Sequence, residues 1–316
     1  MLLSWCRGLN GHIFWQFTKG WILFLLMGGL FWFLPTIVEH LHGMLGLRPG
    51  PLAKNLFDNH LFIILGCFIG AWVALEGQAK ALAQQKAHPS NRPNFQARIR
   101  HLARKAGLSR TPDIIIIDAP VPGMIGLNAA AAGSIFHGNQ ILAIGGVIEL
   151  LEDREEEVVF AHEIAHLIHL DVPARAIIMA GQMAIRWQKW LVLMMTCFAG
   201  VAGPELWGDF RVLVITWLCI SLVQLCYSLL AAAHSRCREY LADAGGLAIA
   251  GWDYRDELVA GLIKVGHVMS GKSPFKLLQK TGMEIFASHP DAGNRAAVIG
   301  VKYRADRHGN VRLTEE

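Results

Sequence analysis

The sequence predicts a mainly α-helical membrane protein that also carries a polar α+β region. Hydrophobic residues make up 53% of the 316 residues and charged residues only 17%, against roughly 25% charged in an average soluble domain. The mean hydropathy is +0.36, and the apolar residues gather in a few long runs separated by polar stretches. This composition excludes a disordered chain and argues against a purely soluble protein.

Four apolar runs predict about four transmembrane helices, arranged as two pairs. In order, the runs are residues 21–38, residues 61–75, a segment within residues 176–202, and residues 212–233. The first and last runs reach about the 20 residues that a helix needs to cross the hydrocarbon core. Arg186 and Lys189 interrupt the third run, so its helix is expected to begin near the lipid headgroups.

The distribution of lysine and arginine predicts that both termini and the polar regions face the cytoplasm. Residues 77–112 contain eight Lys or Arg and no acidic residue, whereas Arg48 and Lys54 are the fixed positive charges of the loop before the second run. Positively charged loops stay on the cytoplasmic side. Nucleic-acid binding is the alternative for this basic stretch, but it lacks the interleaved aromatic side chains that stack on bases, so we expect no nucleic-acid partner.

The polar region between the two pairs of runs predicts a small antiparallel sheet followed by a helix. Residues 113–118 (DIIIID) indicate a buried strand, and residues 140–145 a strand that returns after an alanine-rich stretch and a turn. Asp153 is the predicted N-cap of a helix over residues 154–170, with Glu156 completing a capping box. Further helices are predicted over residues 94–106, over 235–250, and as two or three segments within 254–301.

The helix predicted over residues 154–170 contains an HExxH sequence, His162-Glu163-Ile164-Ala165-His166. Residues four apart share one helix face, so His162 and His166 can present two imidazole nitrogens to one metal. Zinc accepts imidazole and carboxylate ligands, and a catalytic zinc keeps one position for water. We therefore expect one Zn²⁺ per chain, with Glu163 taking a proton from the zinc-bound water as it attacks a carbonyl.

Two histidines need a third ligand, and Glu239 is the better candidate. It follows the fourth apolar run, and Asp243 lies one helical turn later. Asp243 could accept a hydrogen bond from the outer nitrogen of His162 and so fix its tautomer. His169 is too near His166 for a three-histidine pattern. On these residues alone, a salt bridge between Glu239 and a neighbouring arginine is an equally weighted alternative.

Taken together, these segments resemble the gluzincin family that contains bacterial HtpX and the eukaryotic CAAX prenyl endopeptidase. The resemblance rests on HEIAHLIHLD at residues 162–171, the membrane hairpin that follows, and SRCREYLADAG at residues 235–245. The upstream residues 112–133 and the late Ser288-His289-Pro290 also resemble family elements. The similarity extends roughly over residues 95–300, and the plan of two N-terminal spans and one later hairpin matches HtpX.

The resemblance implies a zincin-like α+β catalytic domain and assigns roles within it. His162, His166 and Glu239 would bind the zinc, Glu163 would be the general base, and Asp243 would match the aspartate of the family's Glu-xxx-Asp element. The implied protein is a membrane-bound zinc endopeptidase that hydrolyses misfolded or membrane proteins at the cytoplasmic face. Its expected place is the bacterial inner membrane, its partners are protein or peptide substrates and the lipid bilayer, and its oligomeric state stays open.

Two further elements of the resemblance bear on the substrate. His289, in the HP element, is a candidate for stabilising the oxyanion, and a helix-capping role is an equally weighted alternative. The family's NAFATG-like motif reads NAAAAG here, from Asn128 and Ala129 to Gly133. If this edge strand pairs with substrate backbone, main-chain pairing survives any side chain. The missing aromatic and threonine side chains would change which substrate side chains are selected.

The expected organisation has five segments. They are an N-terminal membrane region (1–77), the first part of the catalytic domain (78–175), a membrane hairpin (176–233), the second part of the catalytic domain (234–300) and a tail (301–316). Two non-proteolytic alternatives stay open. A zinc-stabilised membrane scaffold or adaptor would need His169 or Cys237 as a fourth ligand, and a transporter would need ionisable residues at membrane depth, for which Arg186 and Lys189 are the candidates.

Overall fold

The computed structural model describes residues 34–83, 95–108, 110–117, 129–133, 140–145, 151–169, 171–270, 292–300, 303–305 and 311–313. Most of these residues are helical. The helices are α1 (Leu34–Met44), α2 (Pro51–Asp58), α3 (His60–Ala83), α4 (Phe95–Lys105), α5 (Asp153–Ile168), α6 (Asp171–Ala202), α7 (Trp207–Ala250), α8 (Arg255–Ser270) and α9 (Ala292–Val298). The strands are β1 (Asp113–Ile117), β2 (Ala129–Gly133), β3 (Gln140–Gly145), β4 (Tyr303–Ala305) and β5 (Val311–Leu313).

The described residues fall into two compact units. The HExxH unit is formed by the described parts of residues 76–174 and 232–316, and the hairpin unit by those of residues 19–75 and 175–231. Helix α5, with the HExxH sequence, is central to the first unit because nearly its whole circumference is buried. Its Phe160 and Ile164 belong to the same core cluster as Leu102 of α4, Leu247 of α7 and Leu258 of α8.

Helix α5 begins one residue earlier than the sequence predicts. Asp153 is its first helical residue, and the N-cap position falls on Glu152. The backbone N–H of Glu152 donates to the Glu155 carboxylate at 2.9 Å, so the predicted pairing of Asp153 with Glu156 is wrong. Glu156 is fully buried and accepts a hydrogen bond from Arg98 at 2.8 Å. This ion pair explains why Glu156 does not cap the helix.

The strand order in the three-stranded sheet is β1-β3-β2, with β3 in the centre. Strands β2 and β3 pair antiparallel, but β1 and β3 pair parallel. The small antiparallel sheet expected from the sequence is therefore right for β2 with β3 and wrong for β1 with β3, because the chain goes from β1 to the edge strand β2 before it returns as β3 in the centre. Strand β2 lies at one edge of this sheet and beside α5.

The hairpin unit combines a buried apolar core with a tertiary helix cap. The buried Asp209 accepts a hydrogen bond from the backbone N–H of Ala53, in the first turn of α2, at 2.9 Å. A carboxylate is favourable at this end of a helix. Ile185, Leu213 and Ile220 contribute to the core of the unit.

The described residues include segments that are candidates for crossing a membrane. Among them, the segment Pro204–Ala250 is long and apolar enough to cross a bilayer, and Pro51–Asp58 with Phe62–Ala74 would add a second span if that bent pair counts as one. Most of the first predicted run lies outside the described residues, and helix α6, which contains the third predicted run, is not among the segments that qualify. Four spans therefore stay a prediction.

Helices α5 and α7 approach each other at backbone distance in the HExxH unit. A Cβ atom placed on Gly246 would lie 2.9 Å from both the Cα and the backbone nitrogen of His162. Backbone atoms cannot move aside as the end of a flexible side chain can. The bare Cα of Gly246 therefore sets how close α7 comes to the HExxH helix.

We expect Gly246→Ala to destabilise the protein by about 1–3 kcal/mol, because overpacking of this size forces the backbone to shift. The control is Gly77→Ala in α3, where an added Cβ would meet nothing within 4 Å. Gly77→Ala should be neutral or stabilising by up to about 1 kcal/mol, from helix propensity alone. Thermal unfolding in detergent compares the two variants, and equal midpoints would contradict the close-contact argument.

Candidate metal centre

Two imidazoles face each other on one side of α5. The Nε2 atoms of His162 and His166 are 3.2 Å apart, and both side chains are buried. The spacing of four residues accounts for this geometry, since such residues are neighbours on a helix surface.

Helix α7 contributes a carboxylate to the same point. Oε2 of Glu239 lies 3.6 Å from Nε2 of His162, and Oε1 lies 3.7 Å from Nε2 of His166. One ligand atom from each of the three residues lies within 4.8 Å of the other two. The structure therefore brings together His162, His166 and Glu239, although Glu239 is 73 positions beyond His166 in the chain.

The outer nitrogen of His162 faces Asp243, one turn beyond Glu239 on α7. Nδ1 of His162 is 3.0 Å from Oδ1 of Asp243. Arg295 of α9 donates from Nε to Oδ2 of Asp243 at 2.8 Å and from Nη2 to Oδ1. Burial alone would raise the pKa of Asp243, but the charge and hydrogen bonds of Arg295, together with those of His162, outweigh burial and hold that pKa below its usual value. Arg295 also reaches Glu239, with Nη1 3.5 Å from Oε2.

The outer nitrogen of His166 faces a different carboxylate, Asp171, the first residue of α6. Nδ1 of His166 is 2.6 Å from Oδ2 of Asp171, and Nε of Arg238 is 3.0 Å from Oδ1. Both Asp171 and Arg238 are buried. Arg238, the arginine next to Glu239 in sequence, thus forms an ion pair with Asp171. The salt bridge of Glu239 with Arg295 comes from an arginine that is distant in sequence, and not from the neighbouring arginine of the alternative.

Neither Asp171 nor Arg295 was assigned a role from the sequence. Asp171 ends the quoted HEIAHLIHLD segment, but its spacing of five from His166 lies outside the helix periodicity used to find partners. Arg295 is separated from Asp243 by 52 positions, and nothing local to it in the sequence indicates the contact. The only signal near Arg295 was the HP element a few residues earlier.

The carboxylates raise the proton affinity of one imidazole. Burial alone would lower the pKa of His162, but hydrogen bonds with Asp243 and Glu239 outweigh it and raise the pKa to about 10. Burial lowers the pKa of His169 to about 4, against the opposing charge of Asp171. A cation that binds between His162 and Glu239 would therefore displace a proton.

The donor set fits a catalytic zinc site. Two imidazole nitrogens and one carboxylate are a ligand set of such sites, which leave a position for water. The hydrogen bonds from the outer imidazole nitrogens to carboxylates are the usual support of metal-binding histidines. Neither His169 nor Cys237 belongs to the group of converging ligand atoms found among the described residues.

The other candidate residues are placed only in part. Glu163 is buried beside His162 on α5 and lies within electrostatic range of Arg295. Ala129 and Gly133 are the first and last residues of the edge strand β2. His289 and Asn128 lie outside the described residues.

Comparison with known proteins agrees with this arrangement. The model of peptidase family M48 matches residues 89–301. The protein "Protease HtpX homolog" of Polynucleobacter necessarius is 28% identical over 274 residues, which cover 81% of this chain and 87% of that protein. The protein of the same name from Thermococcus sibiricus is 28% identical over 275 residues, covering 86% and 88%. No solved structure matches.

The family match covers about two thirds of the chain, and both relatives align over most of their own length. The resemblance inferred from the motifs is thereby confirmed. A His/His/Glu group that could hold a metal lies within the matched region. The chain therefore belongs to peptidase family M48 and is an HtpX-like metalloprotease.

Proposed function

We propose that the protein is a membrane-bound zinc endopeptidase that cleaves misfolded or membrane proteins at the cytoplasmic face. The observation that carries this proposal is the convergence of His162, His166 and Glu239 from two helices within 4.8 Å. Glu163 is the residue next to His162 on the same helix. This is the arrangement that peptide hydrolysis at a metal requires.

The residues of the chain have separate tasks in the proposed reaction. His162, His166 and Glu239 would hold the zinc, which when bound acts as a Lewis acid and makes water more acidic. Glu163 accepts the proton of the attacking water and can pass it to the leaving amine. Asp243 and Arg295 keep His162 and Glu239 oriented through the contacts described above. His289 remains the candidate for stabilising the oxyanion.

Strand β2 is the proposed docking element for substrate backbone. It lies at a sheet edge and beside α5, and an exposed edge can pair with an extended peptide through main-chain hydrogen bonds. Between Ala129 and Gly133 the strand carries no side chain larger than methyl. We therefore infer that recognition at this edge, including Asn128 just before it, depends on the main chain more than on substrate side chains.

The hairpin unit supports the membrane part of the proposal. Large apolar side chains are more than half exposed there, at Phe62, Trp190, Met194, Phe198, Val201, Trp207, Leu218 and Leu222. Soluble monomers rarely expose so much apolar surface, and lipid contact accounts for it. We propose four spans with both termini in the cytoplasm.

We expect Glu163→Gln to lower cleavage of an unfolded protein such as casein by about 10²–10⁴-fold, the usual contribution of a general base. The variant should still bind one Zn²⁺ per chain, because Glu163 is not one of the three converging ligands. Turnover and metal content of the detergent-purified protein are measured side by side, with Glu205→Gln, an exposed site, as the control. Cleavage at the wild-type rate would exclude this mechanism.

We expect chelation to abolish cleavage and added Zn²⁺ to restore it. Loss of a supporting residue outside the ligand set weakens metal affinity 10–100-fold, so Glu239→Ala should weaken zinc binding by at least about 100-fold. Cys237→Ala should leave the affinity unchanged. A chromophoric chelator competing for zinc measures both affinities. Loss of zinc in Cys237→Ala would instead favour the scaffold, with sulfur as a ligand.

We expect cysteine labelling to report opposite sides of the membrane for Glu205→Cys and Arg100→Cys in a cysteine-free background. Both positions are exposed. A membrane-impermeant maleimide should label Glu205→Cys from outside the inner membrane and Arg100→Cys only after permeabilisation. The reverse pattern would overturn the proposed orientation.

A further inference from the structure

We propose that Asp171, with Arg238 on its second oxygen, is a positioning residue that fixes the tautomer of His166. In this tautomer the proton is on Nδ1, and the lone pair of Nε2 faces His162 and Glu239. The inference rests on the proposed zinc site, and it concerns how one ligand of that site is held ready for the metal.

The first step of the argument is the chemistry of a neutral imidazole, which has one N–H and one lone pair. An ionised carboxylate can only accept a hydrogen bond. Oδ2 of Asp171 is 2.6 Å from Nδ1 of His166, so Nδ1 must be the nitrogen that carries the proton. Nε2 is then left as the metal ligand, 3.7 Å from the Glu239 carboxylate.

The second step is the role of Arg238. Its Nε is 3.0 Å from Oδ1 of Asp171, and the exposed fraction of the aspartate side chain is 1%. A buried carboxylate needs a compensating charge, and Arg238 supplies it from α7 while Asp171 begins α6. Arg238 also makes the two oxygens of Asp171 unequal, because one faces a cation and the other faces the imidazole.

The third step is a comparison with the other histidine. Asp243 accepts hydrogen bonds from Arg295 at both of its oxygens and is also next to His162. Asp171 faces the charge of Arg238 at Oδ1, in an ion pair without a hydrogen bond, and its histidine at Oδ2. An amide in place of Asp171 would therefore have a preferred orientation. Its oxygen would turn to Arg238, and its NH₂ group would face Nδ1 of His166.

Because of that orientation, Asp171→Asn tests directly whether the side chain at position 171 sets the tautomer of His166. An NH₂ group facing Nδ1 favours the tautomer with the proton on Nε2, which cannot bind a metal. Asp171→Ala removes the same charge but imposes no tautomer, so it is the matched control. Arg238→Gln in the Asn variant removes the cation that orients the amide, and the amide oxygen can then turn to His166.

The experiment measures zinc affinity of the full-length protein in detergent by competition with a chromophoric chelator. All variants carry Glu163→Gln to prevent self-cleavage, and thermal unfolding without zinc reports folding. We expect Asp171→Ala to weaken zinc binding about 10-fold and Asp171→Asn about 100-fold, within the range for supporting residues. Adding Arg238→Gln should restore affinity about 10-fold in the Asn background and leave the Ala background unchanged.

Affinity for zinc in Asp171→Asn equal to or tighter than in Asp171→Ala would overturn the inference. If Arg238→Gln raised zinc affinity equally in the Asn and Ala backgrounds, the claim that Arg238 orients the side chain at position 171 would be overturned. If Asp171→Asn does not fold, the two Arg238→Gln double variants decide: the one with Asn should bind zinc at least as tightly as the one with Ala, and weaker binding by the Asn variant would overturn the inference. Failure of the Glu163→Gln parent to bind zinc would refute the proposed function itself, which separates the two claims.

Discussion

The balance of charge among buried groups is the constraint on which the site depends. Among the residues that the structure describes, the buried charged groups around the two imidazoles are Glu163, Asp171, Glu239, Asp243, Arg238 and Arg295. Four carboxylates against two guanidinium groups leave two negative charges in a region where uncompensated charge strongly destabilises a fold. One divalent cation restores the balance. In its absence, the raised pKa of His162 allows a proton to supply part of the missing charge.

The sequence predicted those parts of the site that follow from helix periodicity. His162 and His166 share a face of α5, and Glu239 and Asp243 share a face of α7, because each pair is four residues apart. Periodicity does not tell which helices become neighbours, so the meeting of α5 with α7 had to come from the family resemblance. The same limit explains why Asp171 and Arg295 were missed: each contacts the site from a different helix.

Local signals were also ambiguous where acidic residues follow one another. Four of the residues from Glu152 to Glu156 are acidic, and any of them could begin the helix. Tertiary contact decided the outcome, since Arg98 holds Glu156 in the core. The local sequence pattern likewise could not predict that β1 pairs parallel with β3, because alternation of side chains predicts a strand but not the direction of its neighbour.

The glycine at the crossing of α5 and α7 has a consequence for which ions the protein can use. With Gly246 against the backbone of His162, the spacing between the helix that supplies two nitrogens and the helix that supplies one oxygen is set by main-chain contact. Calcium takes six to eight oxygen ligands at 2.3–2.6 Å, whereas zinc accepts four ligands at about 2.0–2.2 Å. A site whose helix spacing is fixed by backbone contact, and which offers few oxygen ligands, therefore favours zinc over calcium through its size and its coordination number.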